Sequence, residues 1–451
     1  MIKNFPYLAG FLVFLWMLTM QDATVTTAVG LGTTAFLAVL FIDRIGNNIP
    51  VIELLLTIAG LQWIVGPYID YQSSTHHFKY FMYVSEAEYM SVVVPAFLIF
   101  SISALILLPK VDYETKFQAI KVHVQQVGDK IPWALILIGF IALYVQKSLP
   151  PALAFIFFLL SNLRFIGAGY LLFSESKNKW IVLAGVIALT LFSSIQTSMF
   201  HDFFLWGILL FSIAALQLRM PFLSKAVLVI TGIAVVFIIQ SVKEQYRAQI
   251  WQGEYDGDKL ELFTSLVMDN ISGSVGTEET ASSEAEISQV NVRLNQGWII
   301  SAIINNVPQK EPFAGGETIE EAFYASLLPR FISPTKKEAG GRENFMRFTG
   351  LRLAKGTSMG TSVIGEAYAN YGAWGSIVFM GLWGLMLAFT FRKVVEISEE
   401  NPTVLLWLPL IFLQVVKAET ELVVVLNHLV KASILIFGIY WLSRKVFKVQ
   451  I

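Results

Sequence analysis

The sequence predicts an all-α, polytopic membrane protein with about twelve transmembrane helices and one large extramembrane segment. Three observations carry this. Apolar runs long enough to cross a bilayer, which takes about 20 residues, follow one another from Pro6 to Gln240 and resume after Gly372. The runs are continuous rather than alternating, which favours helices, with their internally satisfied backbone, over a barrel. Only 14% of the chain is charged and 55% is hydrophobic, whereas soluble domains are about a quarter charged.

The spans fall near 6–20, 24–42, 50–69, 88–108, 131–147, 149–172, 179–198, 202–218, 223–241, 373–391, 402–418 and 424–443. Lys3 alone precedes the first run and no small-residue cleavage site follows it, so that run reads as a retained span. Alternate short loops hold 15 Lys and Arg residues against 3, the 3 being Lys79, Lys147 and Lys417. By the positive-inside rule this puts both ends in the cytoplasm and the long polar segment outside. The expected organisation is a bundle of about nine helices at 1–241, an outer loop with short helices at 242–372, and about three helices at 373–451.

Composition removes several classes of function. A net charge of −1 offers nothing to nucleic acid, and zero cysteines exclude disulfides, thiolate metal sites and a cysteine nucleophile. No His, Asp and Glu set has metal-ligand spacing, so neither a metal nor another cofactor is expected.

The long segment has two characters. Residues 243–329 hold 14 acids and 5 bases, whereas 330–355 hold seven bases and two acids. Thr318 and Glu321 have capping-box spacing, and Ile319, Phe323 and Leu327 then form one apolar helical face. A second helix is expected across Val292–Asn306. Pro329 and Pro334 break helices, which predicts a bent, extended basic strap from Arg330 to Lys337.

Four motifs occur in order: Arg293-Leu294-Asn295-Gln296-Gly297, Phe313-Ala314-Gly315-Gly316, Pro329-Arg330-Phe331-Ile332-Ser333-Pro334-Thr335-Lys336, and Gly365-Glu366-Ala367-Tyr368-Ala369-Asn370-Tyr371-Gly372. Together they resemble the Wzy-type O-antigen repeat-unit polymerases over about 290–390. The earlier spans agree only in number and length. Met199-Phe200-His201-Asp202 stands where that family often has an arginine. The resemblance implies a GT-C-like glycosyltransferase of the bacterial inner membrane, working without metal on the periplasmic side. Its donor and acceptor would both be glycans on polyprenyl diphosphate, with a chain-length regulator as a further partner it allows.

The resemblance implies catalytic roles for Arg293, Arg330 and Glu366. Arg330, Lys336, Arg342 and Arg352 are the candidates to hold the leaving diphosphate, where preorganised cations would lower the barrier. The same strap would equally suit anionic lipid headgroups. Glu366 is either the base for the acceptor hydroxyl or a carboxylate favoured by a helix dipole. Tyr368 and Asn370 are placed to orient a sugar, and Arg247 is a substrate contact or an interface anchor. His428 is a candidate for the rim of the cavity. Arg164, inside an apolar run, reads as snorkelling toward the cytoplasmic side. A ligase acting from the same carrier, and a transporter or flippase of lipid-linked sugars, remain alternatives.

Overall fold

A computed structural model describes residues 4–21, 23–74, 76–218, 220–251, 257–272, 291, 294–328, 341–354, 356–446 and 448. In chain order the helices are α1 (Phe5–Met20), α2 (Val25–Arg44), α3 (Val51–Gly60), a π-turn (Leu61–Val65), α4 (Gly66–Gln72), α5 (Glu86–Ile106), α6 (Tyr113–Val127), α7 (Lys130–Val145), α8 (Pro151–Ser161), α9 (Leu163–Phe173), α10 (Lys179–Thr197), α11 (His201–Leu218) and α12 (Phe222–Trp251). They continue with α13 (Lys259–Ile271), α14 (Gly297–Asn306), α15 (Glu317–Leu327), α16 (Arg342–Thr349), α17 (Val363–Ile397), α18 (Leu408–Phe412, preceded by a 3₁₀ turn at Pro402–Trp407) and α19 (Leu422–Lys445).

The described residues are all-helical, and ten helices or helix runs are long and apolar enough to cross a membrane, which makes this a multi-pass membrane protein. The other two expected spans are shorter apolar helices, Phe5–Met20 and Pro402–Phe412. The two expected edges of the outer segment both fall inside helices. α12 runs ten residues past Ser241, and α17 starts at Val363 rather than 373. At 1.5 Å per residue the 30 residues of α12 span about 45 Å, more than a hydrocarbon core of about 30 Å.

The chain forms two compact units. The first comprises Met1–Phe41, Pro50–Phe117 and Asn291–Ile451. Its principal pairing is α5 with α17, and small residues set its closeness. A Cβ on Gly384 would strike Ser103 Oγ and lie 2.7 Å from the Phe100 carbonyl; one on Gly381 would lie 2.9 Å from Ile99. Backbones that approach this closely give dispersion contact that lipid cannot match. α5 is capped by Ser85, whose Oγ accepts from Glu88 N, with Glu86 and Glu88 in its first turn.

In the same unit the chain after α17 returns as a broken segment. Thr403 Oγ1 meets Tyr440 Oη at 2.9 Å, and the Leu410 carbonyl accepts from His428 Nε2 at 2.7 Å. Residues 403–413 therefore run antiparallel to α19, and every one of them is buried. A 3₁₀ turn and a five-residue helix leave backbone groups that only protein neighbours can satisfy, so this irregular path needs that enclosure.

The second unit comprises Ile42–Ile49 and Gln118–Val290. α8 and α9 are one span interrupted at Asn162, whose Oδ1 accepts from Trp206 Nε1 at 2.9 Å. Arg164 does not snorkel. It is 8% exposed, its guanidinium lies 4.2 Å from the Phe165 ring centre, and Nη1 donates to the Ser161 carbonyl. The bare Cα of Gly139 is what lets α7 close on the Arg164 backbone. Elsewhere α13, through Phe263, packs on Ile195 of α10, Tyr246 of α12 and Phe200 in the turn after α10.

Candidate functional site

The fourth motif is helical and begins α17. Ser362 Oγ accepts from Gly365 N at 3.2 Å, a cap that starts the helix ten residues before the expected position. At Gly372 the helix breaks, with φ 69° and ψ −168°, a region that only glycine enters readily. The break frees the carbonyls ahead of it. Ala314 N donates to the Ala369 carbonyl at 3.0 Å and Gly315 N to the Asn370 carbonyl at 3.1 Å. The second motif is thus seated on the fourth. Asn370 completes the joint: its Oδ1 accepts from Gly316 N at 3.0 Å, and its Nδ2 donates to Thr318 Oγ1 at 2.8 Å and to the Glu366 carbonyl at 2.8 Å.

This joint also corrects the expected cap of α15. Thr318 serves Asn370, and Gly316 takes the N-cap position in a left-handed conformation. The buried face of α15 is small (Thr318, Ile319, Ala322, Ala325, Ser326) while Phe323 and Leu327 are exposed. The Val292–Asn306 helix is realised as Gly297–Asn306.

One turn into α17, Glu366 is 1% exposed and its Oε2 accepts from Leu422 N at 3.0 Å, at the start of α19. The loop leading to Leu422 gathers two more elements. Gln62 Nε2 donates to Glu419 Oε2 at 3.1 Å. A Cβ on Gly360 would lie 2.7 Å from the Glu419 carbonyl, so the strap 360–362 lies directly on this loop. Gln62 sits in the π-turn of the span Val51–Gln72, where a widened turn loosens the ladder. Neighbours satisfy its carbonyls: Gln296 N donates to Gln62 at 3.2 Å, Tyr89 Oη to Trp63 at 2.8 Å and Asn291 Nδ2 to Gly66 at 2.9 Å. Gly66 is required there, since a Cβ would lie 2.7 Å from the backbone of Leu294 and Asn295. Two carboxylates and an amide thus meet the 419–422 loop where three chain segments converge, groups of the kind that bind hydroxyls and take up a proton.

The basic residues divide. Arg342 is half-buried and gives Nη2 to the Leu353 carbonyl at 3.1 Å; Arg352 is exposed. Arg347 bonds Glu311 at 2.7 Å and Glu317 at 3.0 Å, and the Glu311 hydrogen bond, with that of Glu317, raises its pKa. Arg293, Arg330 and Lys336, and with them the expected strap, lie outside the described residues.

The remaining candidates are engaged within the protein. Tyr368 packs against Phe313 and donates to the Val307 carbonyl at 3.4 Å. His428 braces the broken segment through Leu410. Arg247 belongs to the second unit, where Nε and Nη2 bind the Ser198 carbonyl at 3.1 and 2.9 Å and close the end of α10. Gln62 and Thr361 did not figure among the sequence candidates. The signal for Gln62 was there, an amide in the middle of an apolar run.

Comparison with known proteins adds a family. No curated protein and no solved structure matches the chain. A family model matches residues 69–397, a stretch that takes in the C-terminal end of the π-turned span, both motifs of the joint and all of α17. The chain belongs to the family described as Domain of unknown function (DUF8712).

Proposed function

We propose that this protein is a membrane glycosyltransferase that polymerises polyprenyl-diphosphate-linked oligosaccharide repeat units into a surface polysaccharide. The observation that supports it best is the seating of Phe313–Gly316 on the Ala369 and Asn370 carbonyls. Two motifs that the resemblance treats as separate strings form one structural piece, with the buried Glu366 beside it.

In this reading a hydroxyl of the acceptor attacks the anomeric carbon of the donor. The new glycosidic C–O bond forms as the bond from that carbon to the diphosphate oxygen breaks, and the electron pair leaves with polyprenyl diphosphate. Glu366 takes the hydroxyl proton. Arg330, Lys336, Arg342 and Arg352 meet the negative charge that grows on the diphosphate. Holding two lipid-anchored substrates in register supplies much of the remaining barrier reduction. The two shorter apolar helices complete twelve crossings in a GT-C-like arrangement, with both chain ends in the cytoplasm and the region around α13–α16 in the periplasm of the inner membrane.

Deletion of the gene, followed by gel analysis of surface glycan, tests this. Loss of long chains with single repeat units retained on the surface lipid is expected. Normal chain length in the deletion strain rules the reading out, and units stranded inside the cell point to a flippase instead. Arg330→Ala and Lys336→Ala are expected to stop chain growth at unchanged protein level.

A further inference from the structure

α5 and α17 run side by side, and where both end the surface opens into a cavity of about 530 Å³. Its wall combines an apolar stretch, Ile106 to Pro109, with Lys110, Arg392, Glu396 and Glu399. The charges there do not cancel. Arg392 Nε and Lys393 Nζ share the one carboxylate of Glu396, at 3.1 and 2.7 Å, and Lys116 Nζ holds Glu399 at 2.6 Å. Lys110 is exposed and makes no ion pair among the described residues. Asp112, Glu114 and Glu400 do not line the cavity, and Asp112 turns its carboxylate back to the Thr115 hydroxyl at 2.6 Å. Four cations thus stand against two carboxylates on the wall and in its ion pairs. The C-terminal ends of α5 and α17 each return about half a negative charge, which leaves about one positive charge unmatched.

The apolar part continues away from the cavity. Ile99, Ile102 and Ile106 are exposed on α5, and Leu382, Leu385 and Phe389 on α17. Spacings of three and four residues put each trio on one helix face. Ile106 itself lines the cavity, and Arg392 follows Phe389 by one turn. What suits such a place is a molecule with one compact negative group and long apolar chains. A free phosphate would leave the apolar stripes unused, and a fatty chain alone would leave the charge unmatched. An anionic phospholipid supplies both, and basic pockets between transmembrane helices hold such headgroups.

We propose that this cavity binds the phosphodiester of an anionic membrane phospholipid, with Lys110 and Arg392 on the phosphate and an acyl chain along the exposed stripes. In the orientation proposed above it faces the cytoplasmic leaflet. The lipid ties the end of α5 to the end of α17, the helix whose first turns carry Glu366 and Asn370. Anionic lipid therefore stabilises the folded bundle by mass action.

The test uses the full chain, washed free of lipid in neutral detergent, and follows its melting temperature. The probes are phosphatidylglycerol, phosphatidylcholine with the same acyl chains, and glycerol phosphate. Phosphatidylglycerol is expected to raise the melting temperature saturably, and the other two to leave it where it was. Lys110→Gln and Arg392→Gln are each expected to weaken the apparent affinity for phosphatidylglycerol about fivefold, and the double variant more. Without lipid both variants are expected to melt close to the parent, since both side chains are exposed. Lys445→Gln, an exposed base at the end of α19, is the control and is expected to bind as the parent does. Equal affinity in the parent and the double variant overturns the site. So does an equal loss in Lys445→Gln, or an equal shift from phosphatidylcholine. An equal shift from glycerol phosphate marks a site for soluble anions and overturns the lipid assignment. The outcome does not depend on the polymerase reading.

Discussion

Asn370 Oδ1 accepts a hydrogen bond from the backbone of Gly316 at 3.0 Å, and this contact ties the Phe313–Gly316 turn to the first turns of α17. The same side chain donates to Thr318 Oγ1. Asn370 is 1% exposed, so water cannot replace what it supplies. Asn370→Ala strands the Gly316 N–H and the Thr318 hydroxyl and is expected to cost about 2–4 kcal/mol. Thermal unfolding in detergent reads this out, and an unshifted midpoint refutes the joint.

Gly372 makes the joint possible. Its φ of 69° and ψ of −168° disfavour any side chain, and a Cβ would stand 3.1 Å from the Phe313 ring. Gly372→Ala is expected to destabilise by about 1–3 kcal/mol from backbone strain alone. Combining it with Phe313→Leu should recover only the steric part. Complete recovery in the double variant contradicts the strain argument.

Glu366 separates structure from chemistry. Glu366→Gln keeps an oxygen to accept from Leu422 N but cannot take a proton at neutral pH. In the polymerase reading it abolishes chain growth while the protein stays folded. Glu366→Ala loses both and is expected to melt earlier by about 1–3 kcal/mol. Full-length glycan made by the Gln variant removes Glu366 as the base.

The absence of native cysteine makes topology directly measurable. Thr357 and Glu400 are exposed near opposite ends of α17. Thr357→Cys is expected to react with an impermeant maleimide added to the periplasm. Glu400→Cys is expected to react only after the inner membrane is opened. The reverse pattern inverts the orientation and refutes the proposed periplasmic placement of the site.

Arg347 spans Glu311 and Glu317, and its side chain is about one-third exposed, so the pair energies are modest. Arg347→Ala is expected to cost about 1 kcal/mol and to leave chain growth intact. A complete loss of growth assigns Arg347 to the substrate instead.

The fold was legible where its physics is local. Long apolar runs give helices regardless of context, and the runs 24–42, 88–108, 179–198 and 202–218 reappear within a few residues as α2, α5, α10 and α11. Elements that depend on partners were not. The helical start of α17 is capped by Ser362 and buried by its neighbours, although its sequence is polar enough to read as a loop. The run 402–418 looks like any span, yet Pro402 and Pro409 and the grip of His428 and Tyr440 hold it in an irregular path. Arg164 reads as a residue that escapes to the interface; the aromatic plate of Phe165 and Trp206, stacked at 4.3 Å, instead keeps it inside. At the candidate site, the Gly-Glu-x-Tyr-x-Asn-x-Gly string forms the first turns of α17, but the partners of its side chains separate only in three dimensions. Asn370 turns inward to backbone, and Gln62, some 300 residues away in the chain, turns toward Glu419.

The irregular path of residues 403–413 bears on how the molecule is assembled. A regular helix can rest alone in lipid, because it carries its hydrogen bonds with it. This stretch cannot, since its shelter is α19 and α19 is made after it. The ribosome must therefore deliver α19 before the broken stretch is secure, and the C-terminal hairpin settles as a unit against a bundle already in place. A chain stopped before Leu422 would leave that stretch without a home, a ready target for membrane proteases that clear unfinished proteins.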